Sequence, residues 1–363
     1  MPVDASIKDD NYRIDASQLI YGGFVKLNVL DQLVYDAFSE TSVSASTDLN
    51  IFIDVNSIIH ALYSEHFRVN VHGFSDIAAG LINMCAHYRS FFSRLRVKTK
   101  FYIVQSLNTC EINRKFISGY NESFYQKSQL KSSIAARNGL EILKVLCPYL
   151  PDIFYIETEN NWEVSVIIAN LIEAINDGHP NMIISKDIYS LQLTGYYKNT
   201  TFLYPLKHPG EDVSRLITIN EKATYRTEFW NLVCYNRKIS TNLVGDLSPI
   251  NYPLFNAITR CPERGIKALY RAPDARKIIL SIAGNSDIRI LPEQLMSCPL
   301  VNNYSMAAIV SRMKALDIME LLPYYKSTAE AKNIKLINLR DDATVNQINA
   351  KYFADNPIDL QKL

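Results

Sequence analysis

The stretch NIFIDVNSIIHALY, residues 50–63, sets a carboxylate, Asp54, at the end of a short apolar run and just ahead of an apolar helical pattern. An aspartate so placed has two uses. Its hard oxygens can hold a magnesium or manganese ion, or its side chain can cap the helix that starts near Ser57. Asp187, in SKDIYSLQL after the apolar MIIS, poses the same alternative. Glu163 follows Trp162 at the head of a helical pattern, where an acid complements the helix dipole. Asp246 lies in GDLSP, a setting in which aspartate commonly bonds its own backbone.

Other chemistry-bearing residue types are less pointed. RSFFSRLRVKTK, residues 89–100, holds five basic residues and no acid around two phenylalanines. It fits a track for a nucleic-acid backbone with stacking rings, and equally a solvated helix end with its phenylalanines in the core. His60, His66 and His72 lack the i, i+4 spacing that sets two metal ligands on one helical face. The six cysteines lie far apart with no CxxC pair, as expected for reduced, mostly buried thiols in an intracellular compartment.

The elements that must position the acids are short β-like runs alternating with helical patterns. The runs are IFI at 51–53, FYIVQ at 101–105, IFYI at 153–156, MIIS at 182–185 and TFLYPL at 201–206. Between them, 74–92 and 162–175 have helical periodicity, which predicts βαβ units and a mainly parallel sheet. Ligands of such sheets sit beyond the carboxyl ends of the strands, where Asp54, Gln105 and Asp187 fall. Residues 109–147 are too long for a simple connection and carry Arg114, Lys115, Lys127, Lys131 and Arg137, which predicts a helical insertion over that edge. Residues 1–48 are expected to form an extension and a Ser/Thr-rich linker. From 208 the β alternation fades, so 49–207 is expected to be the sheet domain and 208–363 a helical unit with a returning C-terminal segment.

Composition excludes little beyond disordered and fibrous classes. With 48% hydrophobic and 21% charged residues the chain has the make-up of a folded protein. A net charge of +1 gives no global pull toward nucleic acid, so any phosphate contact must be local. No segment reaches the roughly 18 uncharged apolar residues of a membrane span. Asp4, Asp9 and Asp10 stand where a signal peptide would be basic and then apolar. A cytoplasmic protein without membrane partners is expected. The abundance of Ile, Asn, Lys and Tyr suits an AT-rich genome such as that of a phage, which would place the protein in host cytoplasm or virion.

Four stretches, in order, resemble the 5′-nucleases, the family of flap endonucleases and phage 5′→3′ exonucleases with a PIN-like core. FIDVNSIIHALY resembles their first strand and its Asp-x-Asn/Ser turn. EVSVIIANL at 163–171 resembles the Glu-Ala-Asp-Asp-Val-Ile-Ala-x-Leu helix, and SKDIYSLQL at 185–193 the Ser-Gly-Asp-Lys-Asp-Leu-Leu-Gln-Leu segment. LVGDLSPINYP at 243–253 resembles the stretch that opens the helix-three-turn-helix module. The resemblance implies an α/β fold: a PIN-like, mainly parallel sheet flanked by helices, with a C-terminal helix-three-turn-helix-like module.

It also implies a chemistry, in which carboxylates hold two divalent ions about 4 Å apart for in-line phosphodiester hydrolysis. Carried over residue by residue, Asp54, Glu163, Asp187 and Asp246 keep the metal-ligand acids. Gln105, Ser165, Val166, Tyr189 and Pro249 stand where the family has acids. The phosphate grip is thinned as well. The resemblance assigns nucleic-acid contact to Arg114, Lys115 and Tyr120 of the insertion and to Arg264, Gly265 and Lys267 of the helical unit. The basic partner expected after Tyr120 is absent, the acid Glu122 has appeared, and the Gly-rich turn is reduced to CPERGIKAL.

The expectation is therefore a catalytically degenerate homologue with no cofactor or only weakly bound Mg/Mn. It would bind branched or single-stranded DNA, or serve as a docking or structural subunit among protein partners in a viral replication, transcription or virion complex. Two alternatives stand beside it. One is a divergent metal-dependent nuclease in which Glu157, Glu159 or Asp177 replaces missing ligands. The other is a purely structural protein, favoured by the near-neutral charge.

Overall fold

The computed structural model describes residues 48–58, 96–106, 111–117, 120, 150–158, 162–207, 214–219, 225–261, 264–328 and 331, with isolated positions between 81 and 93 and between 140 and 147. The N-terminal extension, His60, His66 and His72, Glu159, most of the 109–147 insertion and the C-terminal return segment lie outside the described residues.

The strands are β1 (Asp48–Asp54), β2 (Lys98–Ser106), β3 (Ile153–Thr158), β4 (Asn181–Ile184), β5 (Thr200–Lys207) and β6 (Ser214–Ile219). They form one sheet in the order β3-β2-β1-β4-β5-β6, with β1 to β5 parallel and β6 antiparallel to β5. The apolar runs are unbroken because a parallel sheet is covered on both faces, so every second side chain is also removed from water. β1 and β4 are buried along nearly their whole length. The sheet carries one strand beyond those patterned in the sequence. SRLITI lies past the boundary expected at 207, and its alternation is short and separated from β5 by a polar connection.

The helices with defined limits are α1 (Glu111–Phe116), α2 (Val164–Ile175), α3 (Gln192–Tyr196), α4 (Tyr225–Arg237), α5 (Tyr252–Ile258), α6 (Ala272–Ala283), α7 (Pro292–Met296), α8 (Asn303–Leu316) and α9 (Ile318–Ser327). From Val164 to Ile172 every residue of α2 is buried, as befits a helix enclosed between the sheet and another layer. That layer includes α9, whose Tyr325 meets Trp162 edge-on at 5.1 Å between ring centroids.

The helical part from α4 onward shares a single apolar core with the sheet. Trp230 is enclosed by Phe229, Tyr252 and Phe255 in edge-to-face contacts, and its indole N–H donates to the Leu247 carbonyl at 2.6 Å. Buried amides tie distant segments together. Asn113 donates to the Ala315 carbonyl at 2.8 Å, and Gln192 to that of Leu316 at 3.0 Å. Among the described residues no helix is long and apolar enough to cross a membrane.

Candidate functional site

Register fixes where the acids meet. Ile53 of β1 lies opposite Ile184 of β4, so Asp54 and the Ser185–Asp187 turn leave the sheet side by side at its carboxyl edge. Asp54 is buried, and both alternatives for it hold in part. Its Oδ1 accepts the Ser57 amide at 3.1 Å, the capping bond of the helical turn that follows, while its Oδ2 faces the cleft and accepts the Ser185 hydroxyl at 2.6 Å. The Ser185 hydroxyl in turn accepts the Asp187 amide at 2.9 Å. Asp187 caps the 3-10 turn Ile188–Leu191 by accepting the Tyr189 amide at 3.1 Å, which leaves its other oxygen free to face inward. Glu163 occupies the N-cap position of α2 without making a capping bond, so its carboxylate too is available to the cleft.

A guanidinium fills the space between these acids. Arg264 is buried; its Nη2 lies 2.5 Å from Asp187 Oδ2, and its Nε lies 3.0 Å from Glu163 Oε1. The Nε contact is an ion pair whose N–H points off the line to the oxygen, so its attraction is mainly Coulombic. The Arg264 Cζ stacks over the Tyr189 ring at 4.8 Å from the centroid. The Tyr120 hydroxyl closes the other side and donates to Glu163 Oε1 at 2.5 Å.

Local chain geometry explains how Arg264 reaches inward. Cys261 and Ile266 form an isolated antiparallel bridge, and the Arg264 amide donates back to the Cys261 carbonyl at 3.1 Å. Gly265 then takes φ +70°, a left-handed conformation that glycine adopts without the Cβ penalty. This tight reversal turns Arg264 into the cleft and leaves Gly265 and Lys267 exposed.

Arg264 and Tyr120, to which the resemblance assigns nucleic-acid contact, both touch Glu163. Buried Glu163 and half-buried Asp187 both pair with the Arg264 guanidinium there. Arg114 is half-buried and donates from Nε to the Tyr120 carbonyl at 3.2 Å, and Lys115 is exposed. Asp246 is paired with Arg276. Arg276 holds it through Nε–Oδ1 at 2.9 Å and a second bond from Nη2, and this bonding lowers the Asp246 carboxyl below its ordinary range. Gln105 accepts the Tyr155 hydroxyl. Arg264 as a partner of the acids is not legible in the sequence, because nothing local distinguishes an inward arginine from an outward one.

Of the acids that could substitute for missing ligands, Asp177 and Glu157 are among the described residues and Glu159 is not. Asp177 accepts from Asn50 near the amino end of β1, with both oxygens at 3.2 Å, and so lies at the opposite end of the strand from Asp54. That separation is about 13 Å at the usual strand rise. Glu157 is paired with Lys144.

The electrostatics follow from burial. Burial raises the Asp54 carboxyl to about 6, assisted by the Asp187 charge and opposed by the bonds from Ser185 and Ser57. Burial raises Glu163 as well, with Arg264 acting in opposition. A raised acid binds its proton more tightly in the folded chain, so Asp54 supports stability most fully below its ordinary value of 3.8, and that support is lost as pH rises through about 6. Asp54→Asn should remove the slope. Urea denaturation between pH 4 and 6.5 is expected to show the parent losing roughly 2–3 kcal/mol relative to the variant over that range.

Divalent-metal chemistry requires carboxylate oxygens free to face the ion. Here those of Glu163 and Asp187 face a guanidinium, and Asp54 Oδ2 faces a hydroxyl. Ser165 Oγ and Tyr189 Oη, at positions where the resemblance implies acids, are buried without a partner among the described residues. Among those residues no group of three or more His, Cys, Asp or Glu side chains is arranged to hold a metal ion. The arrangement does not fit a two-metal site.

A parallel sheet flanked by helices, acids converging at its carboxyl edge and a C-terminal helical module together define the PIN-like 5′-nuclease fold. Solved structures share it. The D15 protein of bacteriophage T5, co-crystallised with metal ions, superposes with a TM-score of 0.51 at 13% identity, covering 83% of this chain and 98% of that one. The T5 5′-exonuclease with zinc bound gives 0.50 at 14% identity, covering 84% and 99%. No family model matches the sequence, and no curated protein matches it.

Proposed function

We propose that this chain is a non-catalytic 5′-nuclease homologue that holds branched or single-stranded DNA, as a subunit of a viral replication, transcription or virion complex. The observation that carries the proposal is Arg264 seated between Glu163 and Asp187, where cleavage would require a divalent cation. An internal cation satisfies the acids but cannot generate hydroxide or coordinate a phosphate oxygen, which are the tasks of the metals. The cleft is kept as architecture.

Support for DNA comes from the outer side of the same turn. Lys267 is exposed beside Gly265, the Arg271 side chain is 90% exposed ahead of α6, and Lys277 is exposed on that helix. Cations on an exposed turn and the helix after it suit a duplex backbone, and we take α5, the turn and α6 as the remnant of a helix-three-turn-helix module. Protein docking is a second reading, favoured by the exposed Ile288, Leu291, Met296, Leu300 and Tyr304 within one short stretch.

Two assays test the proposal. Labelled 5′-flap and single-stranded DNA in excess manganese are expected to remain intact; cleavage abolished by Asp54→Ala/Asp187→Ala would overturn the non-catalytic assignment. DNA affinity measured against salt should fall steeply, and Lys267→Glu/Arg271→Glu should weaken binding about 10-fold or more and flatten the slope by about one unit per lost contact. A salt-independent or absent signal would favour docking.

A further inference from the structure

The stretch after α6 sorts its apolar side chains onto two sides. Ile290, Leu295, Cys298 and Val301 are buried, while Ile288, Leu291, Met296, Leu300 and Tyr304 are exposed, Met296 at 67% and Tyr304 at 85%. The chain itself keeps the outer set together. Leu291 is the N-cap and Met296 the last residue of α7, a helix about 8 Å long. Two reversals follow, in which the Cys298 amide donates to the Leu295 carbonyl and the Val301 amide to that of Cys298, and each brings its ends within about 7 Å. Large apolar side chains gathered in this way, unlike single scattered ones, mark a site of interaction. One border of the face is basic. Ser281 Oγ lies 3.5 Å from Cys298 Sγ, and the Tyr270 hydroxyl accepts the Asn302 amide at 3.4 Å, so 298–302 runs along α6. Exposed Lys277 is one helical turn from Ser281 and Arg271 follows Tyr270, which sets both cations along the Leu300–Tyr304 end. Asp274 lies 3.9 Å from Arg271, Asp287 pairs with Arg226, and the exposed acid of α7, Glu293, stands at the Leu291 end.

We propose that this face is the seat of the chain's own N-terminal segment VLDQLVYDAF, residues 29–38. β1 begins at Asp48, so 47 residues precede the sheet. Within them Leu30, Leu33, Val34, Ala37 and Phe38 fall at the spacing of one helical face, bordered by Asp31 and Asp36, with Glu40 just beyond and no base between 29 and 40. Leu30, Val34 and Phe38 recur every four residues, about 6 Å apart along a helix, a length that suits the compact apolar row from Leu291 to Tyr304. Charge then sets the direction. Asp36 and Glu40, at the end of the segment, go to Lys277 and Arg271, and the apolar start of the segment goes to the Glu293 end. Reach permits it. The nine residues from Ser39 to Thr47 extend to about 30 Å, against a radius of gyration of about 20 Å for a chain of this length. The inference goes beyond the DNA reading and does not depend on it.

The test is hydrogen exchange of the full chain, read by mass spectrometry over residues 29–38. The parent is expected to protect these amides at least about 10-fold relative to an unstructured chain. Met296→Asp/Leu300→Asp should speed their exchange by about 10-fold or more, because apolar burial is what holds the segment, and should leave the β1 amides unchanged. Lys277→Glu/Arg271→Glu should speed it less, by about 3-fold, as expected of charges at a solvated rim. Unprotected amides at 29–38 in the parent, or protection that Met296→Asp/Leu300→Asp leaves intact, would overturn the inference. Should that variant fail to fold, Leu33→Asp/Phe38→Asp replaces it and is read at the other partner. Faster exchange of the 291–300 amides there supports the inference, and unchanged exchange overturns it. Protection that grows with protein concentration, together with a doubled mass by light scattering, would put the segment on a second copy and overturn its placement on its own chain.

Discussion

Replacing Arg264 by methionine is expected to lower the stability of the chain by about 3–5 kcal/mol, the usual cost of removing one partner from a buried ion pair. The methionine fills most of the volume, so the loss measures charge rather than a cavity. What remains is Glu163 and Asp187 facing one another in a cleft that had been neutralised by the guanidinium contacts at 3.0 and 2.5 Å. The sign of the pH dependence is a second signature. Burial already raises Glu163, and Arg264 is the largest influence opposing that rise. In Arg264→Met the Glu163 carboxyl should therefore hold its proton to higher pH, and the stability lost should be smaller at pH 5 than at pH 8. Glu163→Leu in the same background should recover part of the loss, because a buried pair can often be replaced by apolar groups at little cost. Urea unfolding midpoints for the two single variants and the double give the coupling directly. A loss under about 0.5 kcal/mol for Arg264→Met would mean that the pair is solvated and contributes little.

Asp317→Ala is expected to cost a similar amount, about 3–5 kcal/mol, through a different joint. Asp317 is buried at the N-cap of α9, where its Oδ1 accepts the Met319 amide at 3.0 Å and the Tyr196 hydroxyl at 2.9 Å. Its Oδ2 receives Arg289 through Nη2 at 2.7 Å and Nε at 3.2 Å. Alanine removes the cap, strands the Tyr196 hydroxyl and leaves Arg289 only its pairing with Glu320. Asparagine can keep the cap while losing the charge, so Asp317→Asn should fall between alanine and the parent. The damage should appear first in α9, whose Tyr325 packs on Trp162. Hydrogen exchange of the α9 amides is therefore expected to accelerate before that of β1, and uniform acceleration across both would show that the joint is not local.

How much of this was legible in the sequence differs between the sheet and the cleft. The runs at 51–53, 101–105, 153–156 and 201–206 each fall inside a strand of the parallel sheet, and 182–185 overruns β4 by Ser185 alone. Chain-local apolar patterning and βαβ handedness are enough to place them. β6 was missed because its six residues follow a polar connection and pair with β5 alone at the sheet edge. The convergence of Asp54 and Asp187 was also foreseeable, since adjacent parallel strands deliver their following residues to one edge.

By itself, then, the sequence determined the strands and the acids at their tips, because these depend on residue type and short-range period. Only the tertiary structure decided what the acids face. Asp54 caps its own helical turn and holds Ser185, Asp246 turns to Arg276, and Glu163 and Asp187 close on Arg264, which lies 101 and 77 residues away along the chain. The physical reason is that a charged side chain is directed by the potential at its end, which is the sum over groups brought together from many segments. No local pattern carries that sum.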